Sequence, residues 1–226
     1  MARTVKNPDE RRSELIACAQ KLFYSKGYES TSVSDIIAEV GIAKGTFYHY
    51  FDSKQAILQA MVDELMVHGL AILQEIIADE TLSAIPKWTQ AFQVLGNWKA
   101  TRKEELIQIM RLTMMDENVL LQHKLKEQAV EVMASEFAKI IAQGVEEGVF
   151  VTQFVQESAE IIIAITLSMS EAMGDLLLNA DKYDNPAVLA QRRVSAVETA
   201  IERVLKAPPG SLPIIAPQTL AVWFED

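Results

Sequence analysis

Apolar residues return every three to four positions along almost the whole chain, and no useful length alternates apolar with polar as a half-buried strand would. That period commits the sequence to an all-α fold, and the breaks between helices carry the remaining information. Asn7-Pro8-Asp9-Glu10 has the order of an N-cap, a proline at the first helical position and a capping glutamate, with Ile16, Ala19, Leu22 and Phe23 following on one face as far as Gly27. Ser32, with Asp35 three residues on, opens a short second helix carrying Val33, Ile36, Ile37 and Val40, which stops at Gly41. A third helix, Lys44 to Tyr50, is barely two turns long. The fourth, capped by Asp52 and Gln55, runs for about 27 residues, roughly 40 Å at the α-helical rise.

Further helices are expected at about 84–98, 102–115, 118–147, 154–179 and 185–206. The stretch from Ala207 onward holds four prolines and should not be regular helix. The division that follows is 1–55, 56–206 and a proline-rich tail at 207–226, and with half of its 226 residues apolar the chain can fill a full core. Charge divides in the same place: the net is about +1 over 1–55 and about −11 over the rest, so only the first part suits a polyanion. The start, MARTVKNPDERR, is charged where a signal peptide is apolar. The greasiest run, Ile161 to Met169, is broken at Glu171, short of the roughly 20 residues of a bilayer span. A cytoplasmic protein without a membrane partner is therefore expected. The single cysteine, Cys18, cannot close an internal disulfide and reads as a buried thiol.

Four of the sixteen aromatics crowd into Phe47, Tyr48, Tyr50 and Phe51, around His49 and between Lys44 and Lys54. A short helix, a turn at Gly41 and a second short helix make the layout of a helix-turn-helix, whose second helix enters the major groove. Phe47 and Phe51, four apart, would share the inward face and anchor that helix. Gly45 permits close backbone approach, Thr46 offers a hydroxyl and a methyl, and Tyr48 and His49 can reach phosphate oxygens. Lys54, opening the fourth helix, would pair with a phosphate. Arg3 and Lys6 would form an arm along the DNA, with a frayed terminus as the alternative. Ordinary packing or exposure is the competing reading for Tyr48 and His49, and solvation for the lysines.

From Ile16 to Leu58 the sequence resembles the DNA-binding domain of the TetR/AcrR family of bacterial transcriptional regulators. The resemblance is carried by Ala19, Leu22-Phe23, Gly27-Tyr28, Thr31-Ser32-Val33, Asp35-Ile36, Val40-Gly41-Ile42, Lys44-Gly45-Thr46-Phe47-Tyr48, Phe51, Ser53-Lys54 and Leu58. It implies an all-α homodimer whose N-terminal domains occupy the half-sites of a palindromic double-stranded operator, usually to repress. It also implies a C-terminal domain holding a small-molecule pocket and the dimer interface. Carried over by position, the DNA contacts are Thr31, Ser32, Lys44, Gly45, Thr46, Tyr48, His49 and Lys54. Ala43 departs from the pattern, standing where the family often has Ser or Thr and so removing a helix cap.

In the second part, Phe92, Trp98, Met110, Met114, Met133, Phe137, Met169 and Met173 recur at helical spacing, and such adaptable side chains either line a pocket or fill core. With the resemblance, Phe92, Met110, Met114, Met133, Phe137, Met169, Met173 and His68 are the candidate lining of an effector site. Glu171 and Asp175 lie beside two of the methionines, which allows a cationic as well as an apolar effector. The helix at 154–179 is apolar nearly all round, with a small-residue stripe of Ala164, Ser168 and Ala172. Pairing it with Val194, Val197, Ile201 and Val204 of the last helix gives a dimer bundle, or else these residues are buried within one chain. No catalytic, phosphate-binding or cysteine-cluster motif occurs, and His49, His68 and His123 are too scattered for a metal site by spacing. The expectation is a ligand-responsive DNA-binding repressor, not an enzyme, with neither metal nor cofactor. The alternative is an all-α small-molecule-binding or protein-interaction module that does not bind specific DNA.

Overall fold

Asn7 opens the first helix as its cap, its side chain accepting from the Asp9 amide at 3.2 Å with Pro8 at the first helical position. The computed structural model describes residues 7–225; Arg3 and Lys6 lie outside them. Among the described residues there are ten α-helices and no strand. The chain divides into two units, Met1–Leu65 with Leu112–Gln122, and Met66–Arg111 with His123–Asp226.

The smaller unit is built from α1 (Pro8–Lys26), α2 (Val33–Val40), α3 (Lys44–Tyr50) and the start of α4 (Lys54–Ala78). Ser32 and Asp35 form a reciprocal capping box at α2, and Gly41 closes that helix in the left-handed conformation at φ 71°, which a Cβ would disfavour. Leu15, Ile16, Ala19, Phe23, Ile36, Phe47, Phe51, Ile57 and Leu58 are buried. Ion pairs Lys26–Asp35 and Lys21–Glu39, at 2.9 and 3.1 Å, tie α1 to α2 on the surface. Cys18 on α1 is half-buried, and burial first and then the Glu39 charge raise its thiol pKa, favouring the protonated form.

The larger unit takes the rest of α4, α5 (Ala84–Ala100), most of α6 (Lys103–Thr113) and of α7 (Val119–Glu146), then α8 (Val155–Leu178), α9 (Pro186–Leu205) and α10 (Pro217–Val222). One core joins Leu73, Trp88, Phe137, Ile140, Ile162, Leu176, Val194, Ile201 and Leu205. Trp88, Phe92 and Phe137 meet pairwise with ring centroids 5.0 to 5.4 Å apart. Buried Lys87 is satisfied by donating to the Ile77 carbonyl at 2.7 Å, near the C-terminal end of α4 where such acceptors lack helical partners.

Two expectations change here. The proline-rich end contains helix after all, because Pro217 stands at the start of α10, where its missing N–H costs nothing. That end is also docked: Leu212, Ile214 and Leu220 are buried, and Glu202 and Glu198 accept the Leu212 and Ile214 amides. Second, α4 and α8 are each long and apolar enough to cross a membrane by length and composition. Their apolarity has an internal use, since α4 supplies Ile57, Leu58, Leu73 and Ile76 to buried positions and α8 supplies Ala159, Ile162, Ile163 and Leu176.

Candidate nucleic-acid interface

A two-turn helix cannot hold itself together in water, so α3 depends on what fixes its inner face. Phe47 is completely buried and Phe51, which ends the helix, is 5% exposed, with ring centroids 6.4 Å apart. Arg12 of α1 lies over the Phe51 ring at 5.4 Å. Ala43 supplies no side-chain cap, so these two rings carry the anchoring.

The outer face of α3 is correspondingly open. Lys44, Gly45 and His49 are exposed, Thr46 is half-buried, and Tyr48 keeps 45% of its surface in water although its ring touches Phe47 edge-on at 5.4 Å. Lys44 Nζ stands 5.9 Å from the Tyr48 ring centre, which places an ammonium and a phenol side by side. The structure therefore brings Lys44, Gly45, Thr46, Tyr48 and His49 onto one short, rigidly anchored element.

The remaining DNA-contact candidates behave differently. Ser32 is exposed, and its hydroxyl is engaged with Asp35, donating to Oδ2 at 2.7 Å and accepting from the Asp35 amide at 3.1 Å. Those bonds to Ser32, together with Lys26, hold the Asp35 carboxyl well below the usual carboxylate range. Thr31 is 1% exposed, its hydroxyl donating to the Gly27 carbonyl at 2.7 Å, so its side chain braces the α1–α2 turn from inside. Lys54 is turned inward as well: Nζ donates to the Tyr28 carbonyl at 2.9 Å, stands 4.1 Å over the Tyr28 ring and lies 3.9 Å from Glu117. Nothing in the sequence near Lys54 signals these partners, and Asn118, which receives the Tyr28 hydroxyl, is 90 residues from it.

The effector candidates also separate. Phe137 is buried in the core of the larger unit, and Phe92, Met133, Met169 and Met173 pack half-buried against it. Met110 is half-buried near the end of α6. Met114 falls in the smaller unit, and His68 is exposed. A surface groove of about 560 Å³ involves none of them; it runs over α7 and α8, lined by His123, Lys126, Glu131 and Glu160 among others. Glu171 is paired with Lys126 at 2.8 Å, while Asp175 accepts from Tyr183 and Asn179. The two carboxylates that allowed a cationic effector are thus already partnered within the chain. Among the described residues no group of three or more His, Cys, Asp or Glu is placed to hold a metal ion.

Two family models match the chain. The one described as bacterial regulatory proteins, tetR family, covers residues 15–61, and a tetracyclin repressor-like C-terminal domain covers residues 105–186, together more than half of the chain. The HTH-type transcriptional regulator YuxN of Bacillus subtilis, itself uncharacterised, is 50% identical over 54 residues, which is 24% of this chain and 19% of that protein. The matched stretch spans between about a fifth and somewhat over two fifths of the length of such curated relatives. Over the whole fold, a TetR-family regulator from Syntrophomonas wolfei superposes with a TM-score of 0.64 at 21% identity, covering 86% of this chain and 96% of that one. Thermus thermophilus FadR, a TetR-family transcriptional repressor in complex with lauroyl-CoA, superposes at 0.59 with 19% identity, covering 88% and 100%.

Proposed function

Because the chain belongs to the tetR family of bacterial regulatory proteins, we propose that it is a DNA-binding transcriptional regulator. In this reading it is a cytoplasmic repressor that leaves a palindromic operator when a small apolar effector binds. The observation that carries the reading is the open face of α3: Lys44, Gly45, Thr46, Tyr48 and His49 are presented on a helix pinned by buried Phe47 and Phe51. Ser32, the exposed cap residue of α2, is part of the proposed contact set. DNA binding belongs to the smaller unit. The effector belongs among Phe92, Met133, Phe137, Met169 and Met173 of the larger one, with Met110 of the same unit, where flexible thioethers can adapt to an apolar body. FadR, a relative by fold, is in complex with lauroyl-CoA, a ligand whose lauroyl chain alone is apolar.

A homodimer is part of the proposal, because two half-sites require two recognition helices roughly 34 to 36 Å apart. The surface that fits is on α8 and α9. Ile161 and Val188 are each 52% exposed and Ser168 is open to solvent, while Val194 and Ile201 are already buried within the protomer. Helix α4 runs unbroken from the smaller unit into the larger and serves as the lever that sets recognition-helix spacing. An effector acts only through its differential affinity for the two spacings.

Lys44→Ala tests the reading. With a duplex selected by the protein from a random-sequence pool, and its scrambled counterpart, anisotropy titrations should show a loss of about 1–3 kcal/mol on the selected duplex only, as for one lost base-edge contact. Undiminished binding of the selected duplex would exclude Lys44 from readout. A chain that selects no duplex would favour the interaction-module alternative.

A further inference from the structure

Within the smaller unit, three hydrogen bonds run in series from the last turn of α6 to the first turn of α4. The Asn118 side-chain amide donates to the Leu112 carbonyl at 2.8 Å. The Tyr28 hydroxyl donates to Oδ1 of the same Asn118 at 3.4 Å. Lys54 Nζ donates to the Tyr28 carbonyl at 2.9 Å, over the ring of that tyrosine. Asn118 and Tyr28 are 1% and 2% exposed, so a break leaves buried polar groups without water to replace the partner. The segment that carries Asn118, Leu112–Gln122, belongs to the smaller unit although the chain on both sides of it belongs to the larger.

We propose that this series is a relay coupling α6 to the recognition helix, in which Tyr28 and Asn118 are positioning residues and Lys54 positions α3 instead of contacting a phosphate. The proposal rests on the regulator reading above and extends it. Met110, a candidate effector contact, lies two residues before Leu112, so a displacement of α6 reaches the Leu112 carbonyl directly. At the other end, Lys54 opens α4 three residues after Phe51, whose buried ring helps hold α3. The Tyr28–Asn118 bond, at 3.4 Å, is the longest of the three and is the link the relay is proposed to break. Coupling between sites requires two discrete arrangements, and the relay supplies them if Asn118, seated here, unseats in the other state. The Glu117 carboxylate beside Lys54 offsets the ammonium charge that a phosphate would otherwise meet.

Linkage makes the relay testable without an effector, since a path from α6 to DNA must also run from DNA to α6. The probe is the duplex selected by the wild-type chain, and the readout is backbone hydrogen exchange at residues 109–113. In wild type the duplex should slow exchange there about tenfold, within the usual range of coupling between sites. Tyr28→Phe removes one hydroxyl and leaves the ring beneath Lys54. It should bind the duplex within about twofold of wild type and keep α3 protection, yet lose the slowing in α6. Asn118→Ala should lose it too. Lys54→Gln should weaken binding without changing the slope of affinity against salt. The relay is overturned if Tyr28→Phe transmits the full slowing, if duplex-bound wild type shows none, or if Lys54→Gln lowers the slope by about 0.9, the signature of a lost phosphate contact. Failure of the wild-type chain to select any duplex is a separate result that overturns the regulator reading itself.

Discussion

Gly144→Ala is expected to destabilise the larger unit by about 3 kcal/mol, the upper end for overpacking a core. A Cβ on this glycine would lie 2.8 Å from Cγ of Phe150 and closer still to its Cδ2 and Cε2. The ring cannot retreat easily. Phe150 is 1% exposed, its amide donates to the Gly144 carbonyl at 2.9 Å, and the next amide, of Val151, donates to the Leu205 carbonyl at 2.8 Å. Alanine is the better helix former by about 1 kcal/mol, which is too little to offset the clash. Urea unfolding should show a lower midpoint at unchanged slope, and Gly144→Ala/Phe150→Leu should recover part of the loss. An unchanged midpoint would mean that the α7–Phe150 packing is not tight.

Phe47→Ala acts in the smaller unit. The side chain is fully buried, and truncations of this kind cost about 3–5 kcal/mol. The marginal stability of a small unit, roughly 0.05–0.15 kcal/mol per residue, is of similar size. Helix α3 has no side-chain cap and no length to fall back on. The expected result is loss of duplex binding, with hydrogen-exchange protection lost in α1 to α3 and retained in α8 and α9. A variant that still binds its duplex at wild-type affinity would show that the ring is not what holds α3 in place.

Much of the fold was legible because its signals are local. Asn7-Pro8, Ser32 with Asp35, and Gly41 announce helix ends through atoms within three or four residues, and each is found capping as expected. The period of Phe47 and Phe51 shows which face of α3 is inward, and therefore which residues are left outward. What was not legible depends on partners distant in sequence. Thr31 and Ser32 look alike on paper, yet only the fold shows that one hydroxyl is spent inside, on Gly27, and the other at the surface. Lys54 reads as a free cation until the Tyr28 carbonyl, 26 residues away, is placed under it. Met110 and Met114 are four apart on a helical period, but the chain passes from one unit to the other between them. The acidic pair Glu171 and Asp175 gave no sign that Lys126, Tyr183 and Asn179 already satisfy them.

The central claim is that the exposed face of α3 reads DNA sequence, and the salt dependence of binding to selected and scrambled duplexes tests it most directly. A reader of base edges binds its selected site about 10³-fold or more tighter than scrambled DNA at physiological salt. Both affinities should fall with salt on slopes set by phosphate contacts, with the preference persisting as salt rises. Equal affinities for the two duplexes at every salt concentration would contradict the claim, leaving at most an electrostatic attachment to any polyanion.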